Sequence, residues 1–282
     1  MYENFAFETR DKVVTGYHFP CENPKKVLCI IHGIGEHMGR YQRMADKLHA
    51  HDIAVVGMDL RGHGISTGIR GNTAPREEVL RDIDAMLEYA AGFYPEVPIV
   101  LYGHSMGGNL CLDYRARGQK NEVPEKYIVS APWVKLVADF PKPVVTLLKG
   151  LAKMLPKMTI SQQIDESSLG NLEYVRPYAE DPLVHNKISL QCAAQCFTIG
   201  NNIYDGTHED SHRADGKPFL LMHGDADAIC SVEGARKVAE HMAGNENFTY
   251  IELPGYYHEI HNGGPNATGD EVIEKYAAFI LE

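Results

Sequence analysis

The stretch VLYGHSMGGNLCLDY, residues 100–114, places Ser105 between glycines at the end of an apolar run. The apolar residues before the serine indicate a buried strand, and the residues after it are typical of a helix. Gly103 and Gly107 leave room for a sharp turn that would lift the hydroxyl above the edge of a sheet. Backbone amides at the start of the helix would favour negative charge developing beside it. We therefore predict that Ser105 is a nucleophile, with a structural turn serine as the alternative.

Extended and helical patterns alternate along most of the chain. Strands are predicted at KVLCIIHG, IAVVGMDLRG, PIVLYG, KYIVSAP, KPFLLMHG and NFTYIELPG, after a hairpin over 5–19 that turns near Arg10 and Asp11. Helices are predicted over 75–94, 231–242 and 270–281, and after Ser105. Buried strands that alternate with helices predict an α/β fold, in which a mostly parallel central sheet is covered by helices on both faces.

A long stretch between KYIVSAP and KPFLLMHG carries helical patterns and no convincing strand. Its length far exceeds that of an ordinary connection between a strand and the next element. We predict that residues 133–215 form a helical cap inserted into a core made of residues 1–132 and 216–282.

The cap segment PVVTLLKGLAKMLPK, residues 143–157, has apolar residues at helical spacing over about half of the circumference. Lys149, Lys153 and Lys157 fall together on the other side. Two interpretations remain open. The helix is either only the roof of an apolar pocket, or it also makes transient contact with lipid surfaces.

Composition and net charge limit the partners and the cellular compartments that this chain would suit. A formal net charge of -11 at pH 7 argues against a nucleic-acid partner, because phosphate binding needs clustered Lys and Arg. The polar start MYENFAFETRDK does not resemble a signal peptide, and no apolar run approaches roughly 18 residues. Six scattered cysteines are simplest to interpret as reduced thiols. We predict a cytoplasmic protein and leave its oligomeric state open.

A serine nucleophile needs a base to take its proton and a carboxylate to orient that base. Parallel sheets gather such groups at the carboxyl ends of their strands. FLLMHGDADAIC offers Asp225 and Asp227 after one strand, and YIELPGYYHEIH offers His258 and His261 after the next. His258 lies nearer the strand end and is the better base, whereas we expect His261 to be a loop or surface residue. The choice between the two aspartates stays open on spacing alone.

The negative charge that develops on a carbonyl oxygen needs backbone N–H donors held in place. The first is predicted at Met106, directly after the serine, and the second at Ile34 in the loop IIHGIGEHMGRY. That loop is also glycine-rich enough to suggest phosphate binding. However, it lacks the Gly-x-Gly-x-x-Gly and Gly-Lys-Ser/Thr patterns that such binding uses.

The chain resembles the α/β-hydrolases of the monoacylglycerol lipase and lysophospholipase group over nearly its whole length. The resemblance rests on HGIGEHMGRY, DLRGHGIS, GHSMGG, DPLVHNKIS, HGDAD and GYYHEIH. It implies that Ser105 is the nucleophile, Asp227 the acid and His258 the base. It also implies that the N–H groups of Ile34 and Met106 form the oxyanion hole. We predict no cofactor and no metal. Asp225 then becomes a turn residue.

The function predicted from these features is that of a serine hydrolase acting on carboxylic esters with an apolar acyl chain, most simply a monoacylglycerol. Alternatives on the same fold are a lysophospholipase, a carboxylesterase of soluble esters and an aminopeptidase. A non-catalytic small-molecule receptor belongs to a different class, and an intact triad argues against it. An aminopeptidase needs a carboxylate for the substrate ammonium, and the candidates in the cap are Asp139, Asp165, Glu166 and Glu173.

Three further features of the sequence favour structural interpretations. His208 and His212 in THEDSH have the spacing of a metal pair, but no third ligand follows in a suitable pattern. Cys192 and Cys196 share one helix face, which favours packing over redox chemistry. Asp59 and Arg61 in DLRGHGIS are expected to form a charged pair that rigidifies the loop beneath the site.

Overall fold

The computed structural model contains a central sheet of eight strands. It describes residues 2–9, 12–138, 140–162, 165–171, 173–174 and 177–282. The strands of the sheet are β1 (Glu3–Glu8), β2 (Val13–Phe19), β3 (Lys26–Ile31), β4 (Ile53–Met58), β5 (Ile99–His104), β6 (Lys126–Ser130), β9 (Phe219–Gly224) and β10 (Phe248–Leu253). Arg10 and Asp11, where the first hairpin was expected to turn, lie outside the described residues.

The order of the strands across the sheet is β1-β2-β4-β3-β5-β6-β9-β10. From β4 to β10 every neighbouring pair is parallel, whereas β2 pairs in the antiparallel sense with both of its neighbours, β1 and β4. The parallel register brings the carboxyl ends of β5, β9 and β10 to one edge of the sheet. The loops after these three strands carry the predicted nucleophile, acid and base.

Seven helices are described: α1 (Gln42–His49), α2 (Arg76–Phe93), α3 (Met106–Arg117), α4 (Lys142–Met154), α5 (Leu190–Tyr204), α6 (Val232–His241) and α7 (Asp270–Leu281). Alternate residues of β3 divide between two apolar clusters. Val27, Cys29 and Ile31 pack in the cluster that includes α2 and α3, whereas Leu28 and Ile30 pack in the cluster that includes α1 and α7. Helices therefore cover both faces of the sheet, and the predicted fold class is confirmed.

The segment between β6 and β9 contains α4, α5 and a small antiparallel pair of strands. The strands are β7 (Thr159–Ser161) and β8 (Lys187–Ser189), with Ile160 opposite Ile188. The expectation of no strand in this segment was therefore wrong, because two runs of three residues are too short to show an alternating pattern. The division into a cap over 133–215 and a core stays a prediction.

The expected ion pair between Asp59 and Arg61 is also wrong. Asp59 instead accepts hydrogen bonds from the Met38 and Ile65 amides and from a tyrosine hydroxyl. Arg61 points to α2, where its guanidinium pairs with Asp82. The two side chains tie the loop after β4 to different neighbours.

Among the described helices, none has the length and apolar composition needed to cross a bilayer.

Candidate active site

Ser105 occupies a strained turn between β5 and α3. Its φ of 56° and ψ of -118° lie in a region that residues other than glycine rarely adopt. A β-carbon at Gly103 would lie 2.2 Å from the Gly107 carbonyl oxygen, and one at Gly107 would lie 2.1 Å from the Ile31 carbonyl oxygen. Glycine is therefore required at both positions for α3 to approach the sheet closely enough.

Ser105, His258 and Asp227 form one continuous chain of hydrogen bonds. His258 Nε2 lies 2.8 Å from Ser105 Oγ, and His258 Nδ1 lies 2.7 Å from Asp227 Oδ2. All three residues are buried. The imidazole thus has one nitrogen facing the hydroxyl and the other fixed by a carboxylate, which is the arrangement that general-base activation of a serine requires.

Both oxygens of Asp227 are fully engaged. Oδ1 accepts the backbone amides of Ile229 and Cys230 at 2.8 and 2.9 Å. Oδ2 accepts from His258 and also lies 3.1 Å from Nε2 of His223, the residue that ends the apolar run of β9. Sequence reasoning missed His223, because a histidine inside a strand gives no sign of which loop residue it faces.

The two candidates set aside by the sequence argument lie elsewhere. Asp225 is exposed, and its Oδ1 accepts the Gly255 amide at 2.6 Å, so it links the loops after β9 and β10. His261 is buried rather than on the surface, with its ring stacked on Tyr41 at 5.4 Å. His261 was expected to be a loop or surface residue. It does lie in the loop after β10, but the surface alternative was wrong, because a short turn of 3-10 helix at Ile260–Asn262 places His261 inward, against Tyr41.

The pKa shifts of His258 and Asp227 suit a histidine that takes a proton from a serine. Burial alone would lower the pKa of His258, but the adjacent Asp227 carboxylate outweighs it and raises the pKa above its ordinary value. Burial alone would raise the pKa of Asp227, yet the two histidines that contact it hold the pKa well below its usual range. Asp227 is therefore ionised throughout the neutral range. Burial also lowers the pKa of His261 to about 4, so that ring is neutral at pH 7.

The backbone amides of Ile34 and Met106 have no acceptor within the described chain. Met106 is the first residue of α3, where helix geometry leaves the N–H without an intrahelical partner. Ile34 lies in the loop after β3 and, like Ser105, lines the cavity described next. The two amides are thus available as donors to an oxygen bound beside the serine.

A cavity of about 520 Å³ opens over Ser105 and His258. One part of its wall is apolar and comes largely from the segment between β6 and β9, with Trp133, Leu136 and Phe140 among its residues. Among the lining residues that the structure describes there is no lysine or arginine. The described part of the wall therefore suits a ligand with an apolar chain and offers no lysine or arginine to an anionic group.

The four carboxylates considered as binding groups for the ammonium of an aminopeptidase substrate lie in different places. Asp139 lies outside the described residues, and Glu166 and Glu173 are not part of the described cavity wall. Asp165 does line the cavity, but it is exposed and caps the turn at Ser167. Two buried carboxylates that sequence reasoning missed, Glu36 and Glu259, also line the cavity.

The histidines and cysteines outside this site have other neighbours. His208 contacts Asp113 at 3.0 Å, and His212 contacts Asp215 at 3.1 Å, so the two histidines do not share a ligand position. Asp210, His212 and Asp215 are close enough to one another to meet at an ion, but all three are exposed. Cys192 and Cys196 are buried on α5, and all six cysteines of the chain are free thiols.

A strained serine on a strand–turn–helix, with its histidine and aspartate on later loops of a mostly parallel sheet, defines the α/β-hydrolase class. The sequence profile of the family described as serine aminopeptidase S33 matches residues 22–264. The chain therefore belongs to this family of serine hydrolases, and the resemblance to its monoacylglycerol lipase group is confirmed.

The individual proteins that the chain resembles include members of this group. The chain is 33% identical to a monoglyceride lipase of Mus musculus over 92% of its own length and 83% of that protein. It is 31% identical to an uncharacterized abhydrolase domain-containing protein of Dictyostelium discoideum over 93% of its length, but it spans only 26% of that longer protein. The crystal structure of Paleococcus ferrophilus monoacylglycerol lipase superimposes with a TM-score of 0.80 at 27% identity, covering 100% of this chain and 98% of that one.

Proposed function

We propose that the protein is a serine ester hydrolase that cleaves monoacylglycerols through an acyl-enzyme formed at Ser105. The observation that carries the proposal is the hydrogen-bonded chain from Ser105 through His258 to Asp227, placed at the wall of a largely apolar cavity. The similarity to monoglyceride lipases supports the choice of substrate class.

In the first half of the reaction, His258 Nε2 takes the proton of Ser105 as Oγ attacks the ester carbonyl carbon. The carbonyl oxygen becomes an oxyanion, which the amides of Ile34 and Met106 stabilise by hydrogen bonds. Asp227 holds Nδ1 of the imidazole and stabilises its positive charge. The tetrahedral intermediate then expels the glycerol oxygen, which takes the proton from Nε2, and the acyl group stays on Ser105.

In the second half, a water molecule replaces glycerol beside His258. The histidine removes a proton from this water molecule as the water oxygen attacks the acyl carbon. Collapse of the second tetrahedral intermediate breaks the bond to Ser105 Oγ, which recovers a proton from His258. The products are one glycerol and one fatty acid for each monoacylglycerol and water consumed, and no cofactor enters this sequence.

The apolar wall contributed by residues 133–215 supports the interpretation of this segment as a cap over the acyl chain. Within it, α4 buries only one of its residues, Ala152. Leu147 and Met154 are 63% and 77% exposed, and Val144 and Leu155, the residue after the helix, are each 50% exposed. A helix with an apolar face turned to solvent is suited to dock on a lipid surface. We extend the proposal to such transient docking by α4.

A reducing compartment such as the cytoplasm fits the free thiols. Five of the six cysteines are buried and none is bridged. Buried thiols in a chain of this size contribute apolar packing and need no oxidising environment. We therefore propose the cytoplasm as the place where the protein acts.

The decisive experiment is a rate profile across monoacylglycerols of increasing chain length, with a lysophospholipid, a short aryl ester and an aminoacyl amide alongside. We expect the highest kcat/KM for a monoacylglycerol and no turnover by Ser105→Ala, which should fold normally because alanine needs no more space than serine. A fluorophosphonate probe should label the wild-type protein and not the variant. Faster cleavage of the amide, or near-normal hydrolysis by Ser105→Ala, would contradict the proposal.

A further inference from the structure

The side chain of Asn109 belongs neither to the described cavity wall nor to the hydrogen-bonded chain of Ser105, His258 and Asp227. It lies on α3, one helical turn after the serine, and is completely shielded from solvent. The backbone amide of Asn109 donates to the Ser105 carbonyl at 3.0 Å. A buried amide side chain is costly unless its polar atoms have partners, so those partners show what Asn109 holds together.

Arg76 fixes which way the amide of Asn109 is turned. Nη2 of Arg76, the first residue of α2, donates to Asn109 Oδ1 at 2.7 Å. A guanidinium has only donors, so the atom of the amide that faces it must be the carbonyl oxygen. Arg76 is itself held in place, since its side chain is 4% exposed and its Nε lies 3.6 Å from the Asp113 carboxylate. The nitrogen of the Asn109 amide is therefore left free to donate elsewhere.

Nδ2 of Asn109 donates to two backbone carbonyls in the segment between β6 and β9. The Trp133 carbonyl accepts at 2.8 Å, and the Cys196 carbonyl on α5 accepts at the longer distance of 3.4 Å. The backbone N–H of Trp133 in turn donates to the Ser105 carbonyl at 3.0 Å. Both backbone polar groups of Trp133 are thus bonded to α3 or to the serine turn that precedes it.

Trp133 is also closely packed against α5. A β-carbon at Gly200 of α5 would lie 2.7 Å from the Val134 carbonyl oxygen and 3.2 Å from that of Trp133. The indole ring meets Phe197 of the same helix edge-on, with the ring centroids 5.5 Å apart. Trp133 lines the cavity over Ser105, so the contacts that fix its backbone also fix part of the apolar wall.

We propose that Asn109 is a positioning residue for the acyl chain, because it fixes Trp133, and with it the apolar wall, relative to Ser105. It acts through Trp133 and contacts neither the substrate nor the reacting atoms. Without this donor, the Trp133 carbonyl would lose a buried hydrogen bond, and the indole would shift relative to the serine. A displacement of about 1 Å in the groups that position a substrate is enough to slow attack on its carbonyl. This inference rests on the proposed ester hydrolysis and adds a residue that determines which acyl chains react well.

The test compares p-nitrophenyl acetate with p-nitrophenyl octanoate, both below the concentration at which the octanoate aggregates. The two esters share a leaving group and differ only in the acyl chain. The ratio of their kcat/KM values therefore measures the contact between the chain and the cavity wall.

The key variant is Asn109→Asp, which keeps the size of the side chain and an acceptor for Arg76 but removes the donor to Trp133. We expect kcat/KM for the octanoate to fall about tenfold and that for the acetate to change less than about threefold. An acetyl group has no chain to place against the wall. The serine turn keeps its own backbone bond, in which the Ser105 N–H donates to the Ser130 carbonyl at 3.0 Å.

The matched control is Asn121→Asp. Asn121 is likewise completely shielded from solvent, and its Nδ2 donates to the Arg115 carbonyl at 2.6 Å, near the other end of α3. This variant also loses a buried hydrogen bond, so it should lower the melting temperature as Asn109→Asp does. It should leave the ratio between the two esters unchanged, because Asn121 holds no residue of the described cavity wall.

A double-mutant cycle checks that Asn109 acts through Trp133. Trp133→Leu alone should lower the octanoate-to-acetate ratio, because the indole no longer fills its part of the wall. Adding Asn109→Asp to Trp133→Leu should then lower the ratio by less than about threefold, since the ring that Asn109 positions is gone. Full additivity of the two changes would show that Asn109 acts by another route and would overturn the inference.

An unchanged ratio in Asn109→Asp, or an equal loss on both esters, would overturn the positioning role while leaving ester hydrolysis intact. Should Asn109→Asp fail to fold in a thermal melt, Asn109→Ala takes its place. Alanine removes the donor without adding a charge, and the same ratio decides. If the wild-type protein cleaves neither ester, the proposed function itself fails, and this inference falls with it.

Discussion

Nε2 of His223 lies 3.1 Å from Oδ2 of Asp227, with both side chains completely shielded from solvent. The same oxygen is the one that contacts His258 Nδ1. In the proposed mechanism, His223 therefore restrains the carboxylate that orients the base, and it contacts the reacting atoms only through that carboxylate. It is a positioning residue, of the kind that holds a catalytic group in its productive orientation.

Replacement of His223 by phenylalanine should lower kcat roughly tenfold and leave KM for a monoacylglycerol nearly unchanged. The reason is that the variant loses a hydrogen bond to a charged oxygen but no contact with substrate. Steady-state kinetics provide the measurement. His223→Gln keeps an N–H donor near the same place and should recover most of the rate; an equal loss in both variants would mean that His223 only packs.

Asp227→Asn should reduce kcat by roughly a factor of 10³ to 10⁴, because an amide at this position favours the wrong tautomer of His258. Asp225→Asn should change kcat less than about threefold, because asparagine keeps an oxygen that can accept the Gly255 amide. The two variants carry the same chemical change two residues apart, so each is the control for the other. A larger effect at position 225 would show that the acid is assigned to the wrong residue.

The rate of ester hydrolysis should decline as the pH falls below the pKa of His258, which lies above the ordinary histidine value of about 6.5. The base works only when neutral, and the Asp227 carboxylate, together with the charges of Glu259 and Glu36, raises the pKa of His258 against the opposing effect of burial. Below that pH, kcat/KM for a soluble ester should drop about tenfold per pH unit. Measurement between pH 5 and pH 8 suffices, and a flat profile would count against His258 as the base.

Gly107→Ala should destabilise the fold by several kcal/mol and abolish activity, since the added methyl group would meet the Ile31 carbonyl oxygen at 2.1 Å. Gly92→Ala is the matched control, because it makes the same change near the end of α2, where no atom beyond the adjacent residues and the helix's own backbone lies within 4 Å of the added carbon. There we expect a gain of about 0.5–1 kcal/mol from better helix propensity. Chemical denaturation gives both values, and equal effects would remove the argument for close packing at the serine turn.

The pair of changes Lys149→Glu and Lys153→Glu on α4 should weaken hydrolysis of monoacylglycerol presented in anionic vesicles, and more so at low salt. Hydrolysis of a water-soluble ester should be unchanged. The exposed apolar residues of α4 would meet the acyl tails while these lysines meet anionic headgroups. An equal loss of hydrolysis rate on vesicle and soluble substrates would show that α4 only covers the cavity and does not contact lipid.

The central sheet and the serine turn were predictable because their signals are local. Each buried parallel strand is a short apolar run that ends in glycine or a polar turn, and β5, Ser105 and α3 follow one another without interruption. The helix α1 and the three-residue strands β7 and β8 were not predicted. The two strands are too short for a period to appear in the sequence.

The electrostatic surroundings of the site were not predictable, because they depend on residues far apart in the chain. Arg40 and Glu259 meet only when the loops after β3 and β10 converge on the same edge of the sheet. The contact made by His223 was not predictable for a related reason. Nothing in the sequence shows that the turn after β9 brings Asp227 beside this strand residue. Spacing in the sequence selected the residues that we propose to react, but it did not reveal the charged and polar residues that surround them.

The positive φ of Ser105 is part of the folded backbone, so its conformational cost reduces the free energy of unfolding of the protein. Glycine adopts such a conformation without penalty, whereas serine does so only because the surrounding sheet and helix hold it there. Stability and reactivity therefore compete at this one position. Selection for thermal resistance alone would favour an inert glycine here, and the serine persists only under selection for turnover.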